Sequence, residues 1–141
     1  MGTSSWTDSS VKTGKTYYYK IKVVVKTQNG NQTSGFSNVK SAKAVPAKTT
    51  LKAKASNAKN VKLTWSKVKG ANGYEIYRSN SKDGKYQKVK TISKGGTTSY
   101  KDGKLKKSTT YYYKIRAYRK VDRKKVYGSY SSVVSVKTKA K

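Results

Sequence analysis

Five carboxylates are the whole acidic inventory of this 141-residue sequence: Asp8, Glu75, Asp83, Asp102 and Asp122. There is no histidine and no cysteine. Base catalysis by imidazole, thiolate chemistry, disulfides and a zinc site built on His or Cys are thereby excluded. A hydrolase or a metal site would need several of the five carboxylates to converge, and Asp83 and Asp102 each precede a glycine in a turn dipeptide. The chain is therefore expected to be no enzyme, with no catalytic or metal-binding residue and no cofactor. What remains for chemistry is charge and rings: 34 Lys+Arg give a formal net charge of +29, beside 13 Tyr and 2 Trp.

Rings and cations interleave most densely at Tyr111-Tyr112-Tyr113-Lys114-Ile115-Arg116-Ala117-Tyr118. On a strand, successive side chains point to opposite faces. Tyr111, Tyr113, Ile115 and Ala117 then share one face, and Tyr112, Lys114, Arg116 and Tyr118 the other. With Tyr77 and Lys120, the second set is a candidate surface for an anionic polymer or a sugar: rings stack, amines pair with phosphate, sulfate or carboxylate. The alternative is that exposed cross-strand tyrosines simply stabilise a solvated sheet. An aromatic cage of Trp65, Tyr74, Tyr111 and Tyr113 is disfavoured, because alternation puts these rings on the core face.

Lysine dominates the positive charge, and the only arginines are Arg78, Arg116, Arg119 and Arg123. Sequence-specific nucleic-acid readers rely on the arginine fork, so no such partner is expected. Lysines spread over every strand imply diffuse attraction to polyanions or a solubility device. Residues 1–45 carry a net +6 and residues 46–141 a net +23. No apolar run approaches 18 residues, so no membrane insertion is expected. Met1-Gly2-Thr3 lacks the basic start and apolar stretch of a signal peptide and reads as an initiator joined to an interior stretch. Asn31-Gln32-Thr33 matches a glycosylation sequon, a weak signal when alone.

The elements that position these residues repeat. Thr3–Lys26 matches Thr97–Lys120 with a shift of 94 and no gap, and Phe36–Ser41 continues the match against Tyr130–Ser135. Residues 46–96 have no upstream counterpart. The chain thus divides into 1–45, the back half of one repeat, and 46–141, one whole repeat, with the lone Pro46 at the junction. Period-2 alternation in Val61-Lys62-Leu63-Thr64-Trp65, Tyr74–Tyr77 and Tyr111–Tyr118, separated by Gly-rich turns, predicts seven short strands between about Thr49 and Lys137. The fold class is all-β, an antiparallel sandwich with Trp65 buried.

These residues resemble a bacterial fibronectin type III domain. The resemblance rests on VKLTWSKVKGANGYEIYRS, the turn Lys82–Tyr86 and TTSYKDGKLKKSTTYYYKIRAY. It implies an immunoglobulin-like sandwich in which Leu105 plugs a corner between strands and Tyr111 makes the tyrosine corner. Val11 and Tyr17 are their equivalents in the half repeat. The sequence departs at the corner's usual Pro-Gly, which reads Lys107-Ser108 and Thr13-Gly14. Its hairpin loop, Val121-Asp122-Arg123-Lys124-Lys125, lacks the Arg-Gly-Asp of integrin-binding members.

The expected function is a non-catalytic spacer or adhesive module of a bacterial extracellular or cell-surface protein, flanked by neighbouring domains of the same parent. Two alternatives stay open. The Lys/Tyr-rich sheet retains an anionic cell-wall or host polysaccharide, such as teichoic acid, or the module accompanies a secreted carbohydrate-active enzyme. In the half repeat, Tyr17, Tyr19, Ile21, Val23 and Phe36 would lack their facing sheet. Bare apolar faces of that size call for cover, so a homodimer through residues 1–45, or docking on the neighbouring repeat, is expected.

Overall fold

The computed structural model describes residues 4–141; Met1-Gly2-Thr3, where the repeat match begins, lies outside them. The chain forms two compact units that meet in sequence at Ala44 and Val45. In the first, β1 (Thr16–Tyr19) pairs antiparallel with β4 (Lys40–Lys43), and β2 (Val24–Thr27) with β3 (Gly30–Thr33). These are two stretches of one long hairpin. Between them the ladder is broken, and serine hydroxyls take over: Ile21 N donates to Ser37 Oγ (3.0 Å) and Val23 N to Ser34 Oγ (2.9 Å). The substitution follows from the need of each backbone N–H for an acceptor.

The second unit holds β5 (Leu51–Asn57), β6 (Asn60–Trp65), β7 (Gly73–Ser79), β8 (Gln87–Ile92), β9 (Ser99–Asp102), β10 (Thr110–Val121), β11 (Lys124–Tyr127) and β12 (Val134–Lys137). β5-β6-β9 form one sheet; β11-β10-β7-β8 form the other, with β12 also on β10. The seven expected strands are thus eight segments, because the last strand is split into β11 and β12. At Gly128 the backbone still holds β10, its N donating to Ala117 O (2.9 Å), and a side chain there would collide with the Pro46 carbonyl oxygen. Ser131 then substitutes, its N donating to Ile115 O (2.7 Å) and its Oγ accepting from Ile115 N (3.1 Å).

Tyrosine does the work of leucine in the core. Leu51, Val61, Leu63, Trp65, Tyr74, Ile76, Leu105, Tyr111, Tyr113, Ile115 and Ala117 pack together, with Trp65 6% exposed and Tyr74 and Tyr113 fully buried. Each phenol brings a hydroxyl that must find a partner on burial. Tyr74 Oη accepts from Val68 N (3.0 Å) and donates to Gly95 O (3.1 Å). Tyr111 Oη accepts from Lys106 N (2.9 Å), closing the tyrosine corner beside buried Leu105. Tyr113 Oη donates to Asp102 Oδ2 (2.8 Å), which also accepts from Arg78 Nη1 (2.7 Å).

At the corner, the residue after Lys107 must turn left-handed: Ser108 has φ 51°, and its counterpart Gly14 has φ 87°. Glycine tolerates that region and serine is strained there. Ser108→Gly is expected to stabilise the second unit by about 0.5–1 kcal/mol, because relief of strain outweighs the added entropy of the unfolded chain. Thermal denaturation checks this; a lowered Tm would contradict it.

Candidate functional site

The outer face of the larger sheet gathers the sequence-predicted cluster. Antiparallel register sets Lys114 against Tyr77, Arg116 against Glu75 and Tyr118 against Gly73. Tyr118 is on this face, yet it is not exposed as the alternation implied: it is 1% accessible. The reason is Gly73. With no side chain opposite, the hydroxyl end of the Tyr118 ring occupies the space that a Gly73 side chain would fill, and the hydroxyl donates to Ile92 O (3.3 Å). Lys125 covers the ring from above, 4.5 Å from its centre.

Sequence reasoning missed the residue that organises this face. Glu75, 1% exposed, lies at its centre. Its Oε2 accepts from Tyr77 Oη (2.7 Å) and Arg116 Nη2 (3.1 Å). Oε1 accepts from Lys125 Nζ (3.0 Å), Tyr127 Oη (3.1 Å) and, more weakly, Lys88 Nζ (3.4 Å). Burial acts to raise the Glu75 pKa, but the hydrogen bonds from Tyr77, Lys125, Arg116 and Tyr127 outweigh it and hold it at about 2. The same neighbourhood pushes the Tyr77 phenol up, through desolvation and its bond to Glu75.

Around this carboxylate the cations are sandwiched by rings. The Arg116 guanidinium lies 3.6 Å from the centre of Tyr127 and 4.9 Å from that of Tyr130, and it donates to Tyr77 Oη (2.9 Å). Lys114 Nζ sits 4.2 Å from the centre of Tyr130 and 4.4 Å from that of Tyr86. Tyr77 meets Tyr130 edge to face at 5.3 Å. Tyr112 is half-buried at the end of this array, and Lys120 is exposed beyond it. Of the six predicted residues, Tyr77, Lys114 and Arg116 belong to one connected array, Tyr118 is packed beneath Lys125, and Lys120 is open to solvent.

The first unit repeats the pattern without the acid. Lys20 and Lys22 lie 4.0 and 5.4 Å from the centre of the Phe36 ring. Phe36 is therefore on the outer, cation-bearing face, and its expected place among the uncovered core residues is corrected. The break in the ladder shifts the alternation at this position.

Solved structures decide what this architecture is. The FN1-FN3 domains of chicken CNTN1 match with a TM-score of 0.58 at 23% identity, over 94% of this chain and 46% of that one. An Fn3-like protein from Clostridium thermocellum matches with a TM-score of 0.51 at 27% identity, over 67% of this chain and 92% of that one. The sixth fibronectin type III domain of human fibronectin type III domain containing protein 3 gives 0.58 at 19%, over 71% and 92%. The fold is that of a fibronectin type III domain. No protein-family model matches the sequence, and a comparison with curated proteins finds no match. The chain spans less than half the length of the chicken segment.

Fibronectin type III domains are generally non-catalytic modules that sit beside other domains. Among the described residues, no group of three or more Asp or Glu converges as a metal site would require. The chemistry of the outer face of this fibronectin type III sheet is internal neutralisation. One carboxylate is shared among three cations, in surroundings that strengthen each contact.

A pH dependence follows. Glu75 has a lowered folded pKa, about 2 against an ordinary 4.5. Its contribution to stability is complete above about pH 4.5 and is lost as pH falls through about 2; the shift corresponds to about 3 kcal/mol. The Tm of the second unit is expected to fall steeply below about pH 4.5, and Glu75→Gln to flatten that fall. An equally steep fall in Glu75→Gln would assign the dependence to other groups.

Proposed function

We propose that the chain is part of a bacterial extracellular or cell-surface protein, with residues 1–45 the C-terminal half of one fibronectin type III repeat and residues 46–141 a complete repeat. Its role is that of a non-catalytic spacer or adhesive module. One observation carries the reading: the ring-and-cation face that could hold a ligand is already occupied by its own carboxylate. Arg116 and Lys125 are bonded to Glu75, and Lys114 is held between Tyr86 and Tyr130. The bacterial assignment is supported by likeness to the Clostridium thermocellum protein. A place beside a carbohydrate-active catalytic domain suits the same fold, with no residue here in its favour.

Retention of an anionic polymer is the second reading, favoured by the +29 charge. Under the spacer reading, attraction to teichoic acid or heparin is diffuse and falls steeply with salt through counterion release. Lys114→Ala/Lys120→Ala and Lys52→Ala/Lys54→Ala should lower the eluting salt concentration on an immobilised polyanion by equal amounts. A loss confined to the first pair would establish a site on the sheet and overturn the diffuse account. Salt alone should raise the Tm of the free chain, since screening over about 8 Å relieves lysine repulsion in the compact state; a salt-independent Tm would count against that repulsion.

A further inference from the structure

The first unit reproduces the pairing and the key bonds of the last hairpin of the second at the shift of 94. Tyr17 Oη accepts from Lys12 N at 2.9 Å, as Tyr111 Oη does from Lys106 N at 2.9 Å. Ser37 N donates to Ile21 O at 2.7 Å, as Ser131 N does to Ile115 O at 2.7 Å. Ala44 N donates to Lys15 O at 2.9 Å, as Thr138 N does to Thr109 O at 3.0 Å. Tyr19 Oη donates to Asp8 Oδ2 at 3.1 Å, as Tyr113 Oη does to Asp102 Oδ2 at 2.8 Å. The hairpin has the shape of one whose inner face is covered, and that cover is missing. Ile21 is 72% and Val23 62% exposed, whereas their counterparts Ile115 and Ala117 are fully buried. An open groove of about 820 Å³ runs along this face, lined by Trp6, Asp8, Val11, Tyr17, Tyr19 and Ile21 among others.

The two aspartates show what the cover must carry. Asp102 Oδ2 takes a second bond from Arg78 of β7, the strand that flanks β10 in the same sheet and belongs to the segment 46–96 that the first unit lacks. Asp8 Oδ1 accepts from Ser10 N (2.9 Å) and Ser10 Oγ (2.6 Å), and among the described residues Oδ2 accepts from Tyr19 and from no cation. We propose that the groove seats the N-terminal half of a fibronectin type III repeat, a β-sheet segment patterned like residues 46–96, with an arginine at the position of Arg78 set against Asp8 and Tyr19. Two first units meeting face to face do not fit equally well, since residues 1–45 contain no arginine for Asp8 and would bring together net charges of +6. Burying a carboxylate without its cation is costly. The arginine therefore selects the occupant, while the apolar residues supply the contact. This inference rests on the reading of residues 1–45 as the C-terminal half of a repeat, and not on the spacer role.

The test places a copy of residues 46–96 ahead of Thr3 in the otherwise full chain and follows amide hydrogen exchange at residues 16–27 and 40–43. Seating the copy should slow exchange there by about a hundredfold, with the second unit as an internal control. Replacing arginine by leucine at the Arg78 position of the added copy alone should return about tenfold of that gain. Should the extended chain fail to fold, the same segment added as a free peptide gives the same readout. Unchanged exchange in both formats would overturn the proposal. So would a dimer of the unextended chain, at micromolar concentration, already protected at these amides. Protection indifferent to the arginine would overturn its selective role.

Discussion

Glu75→Ala is expected to cost the second unit about 3 kcal/mol, at the lower end for breaking a buried ion pair. The carboxylate is 1% exposed, so its removal strands Arg116, Lys125 and two tyrosine hydroxyls that pack around it. Partial exposure of the cations, 21% for Arg116 and 30% for Lys125, lets water recover some of the loss. For a unit of about 100 residues that loss lowers Tm by roughly 12–24 °C. Glu75→Gln keeps the shape and one acceptor, so its cost should be smaller. Asp83→Ala, at an exposed turn acid, should change Tm little. Thermal denaturation of the three variants checks the order; a Glu75→Ala Tm within a few degrees of wild type would contradict it.

Gly73→Ala comes next. A methyl at Gly73 would lie 2.6 Å from Tyr118 Oη and press into the Ile92 carbonyl oxygen. The tyrosine can swing away only by giving up its bond to Ile92 and its burial. The carbonyl belongs to β8, whose Ile92 pairs with Tyr74, and moving it opens that edge of the sheet. Overpacking of this kind costs about 1–3 kcal/mol, and backbone on one side puts this case near the upper figure. The double variant Gly73→Ala/Tyr118→Ala should recover nothing, since the Ile92 contact remains. Recovery in the double variant, read by denaturant titration, would assign the strain to the ring alone.

The core was legible because alternation is a strong signal in strands buried on one side. Trp65, Tyr74, Tyr111 and Tyr113 went to the inner face, and the Leu105…Tyr111 spacing located the corner. What alternation cannot supply is the partner across the sheet. Glu75 was readable as outward-facing, but its burial depends on Arg116 lying opposite and on Lys125 and Tyr127 arriving from β11, which only register reveals. Tyr118 was misjudged for a related reason: the missing side chain at Gly73, opposite it in sequence register, lets the ring sink. Phe36 was assigned to the wrong face because the hairpin breaks before it, and a period of two does not survive an irregular segment. The close approach of Gly128 to Pro46, more than 80 positions away in sequence, is likewise beyond the reach of alternation.

The account turns on an ionised, buried Glu75 that holds the outer cations in place and leaves no vacant anion site among them. Titration of the Glu75 side-chain carboxyl by carbon-13 NMR measures this directly. The account predicts a pKa of about 2 and no further change up to neutral pH. A midpoint at or above 4.5 would contradict it, leaving Arg116 and Lys125 free to meet an external anion.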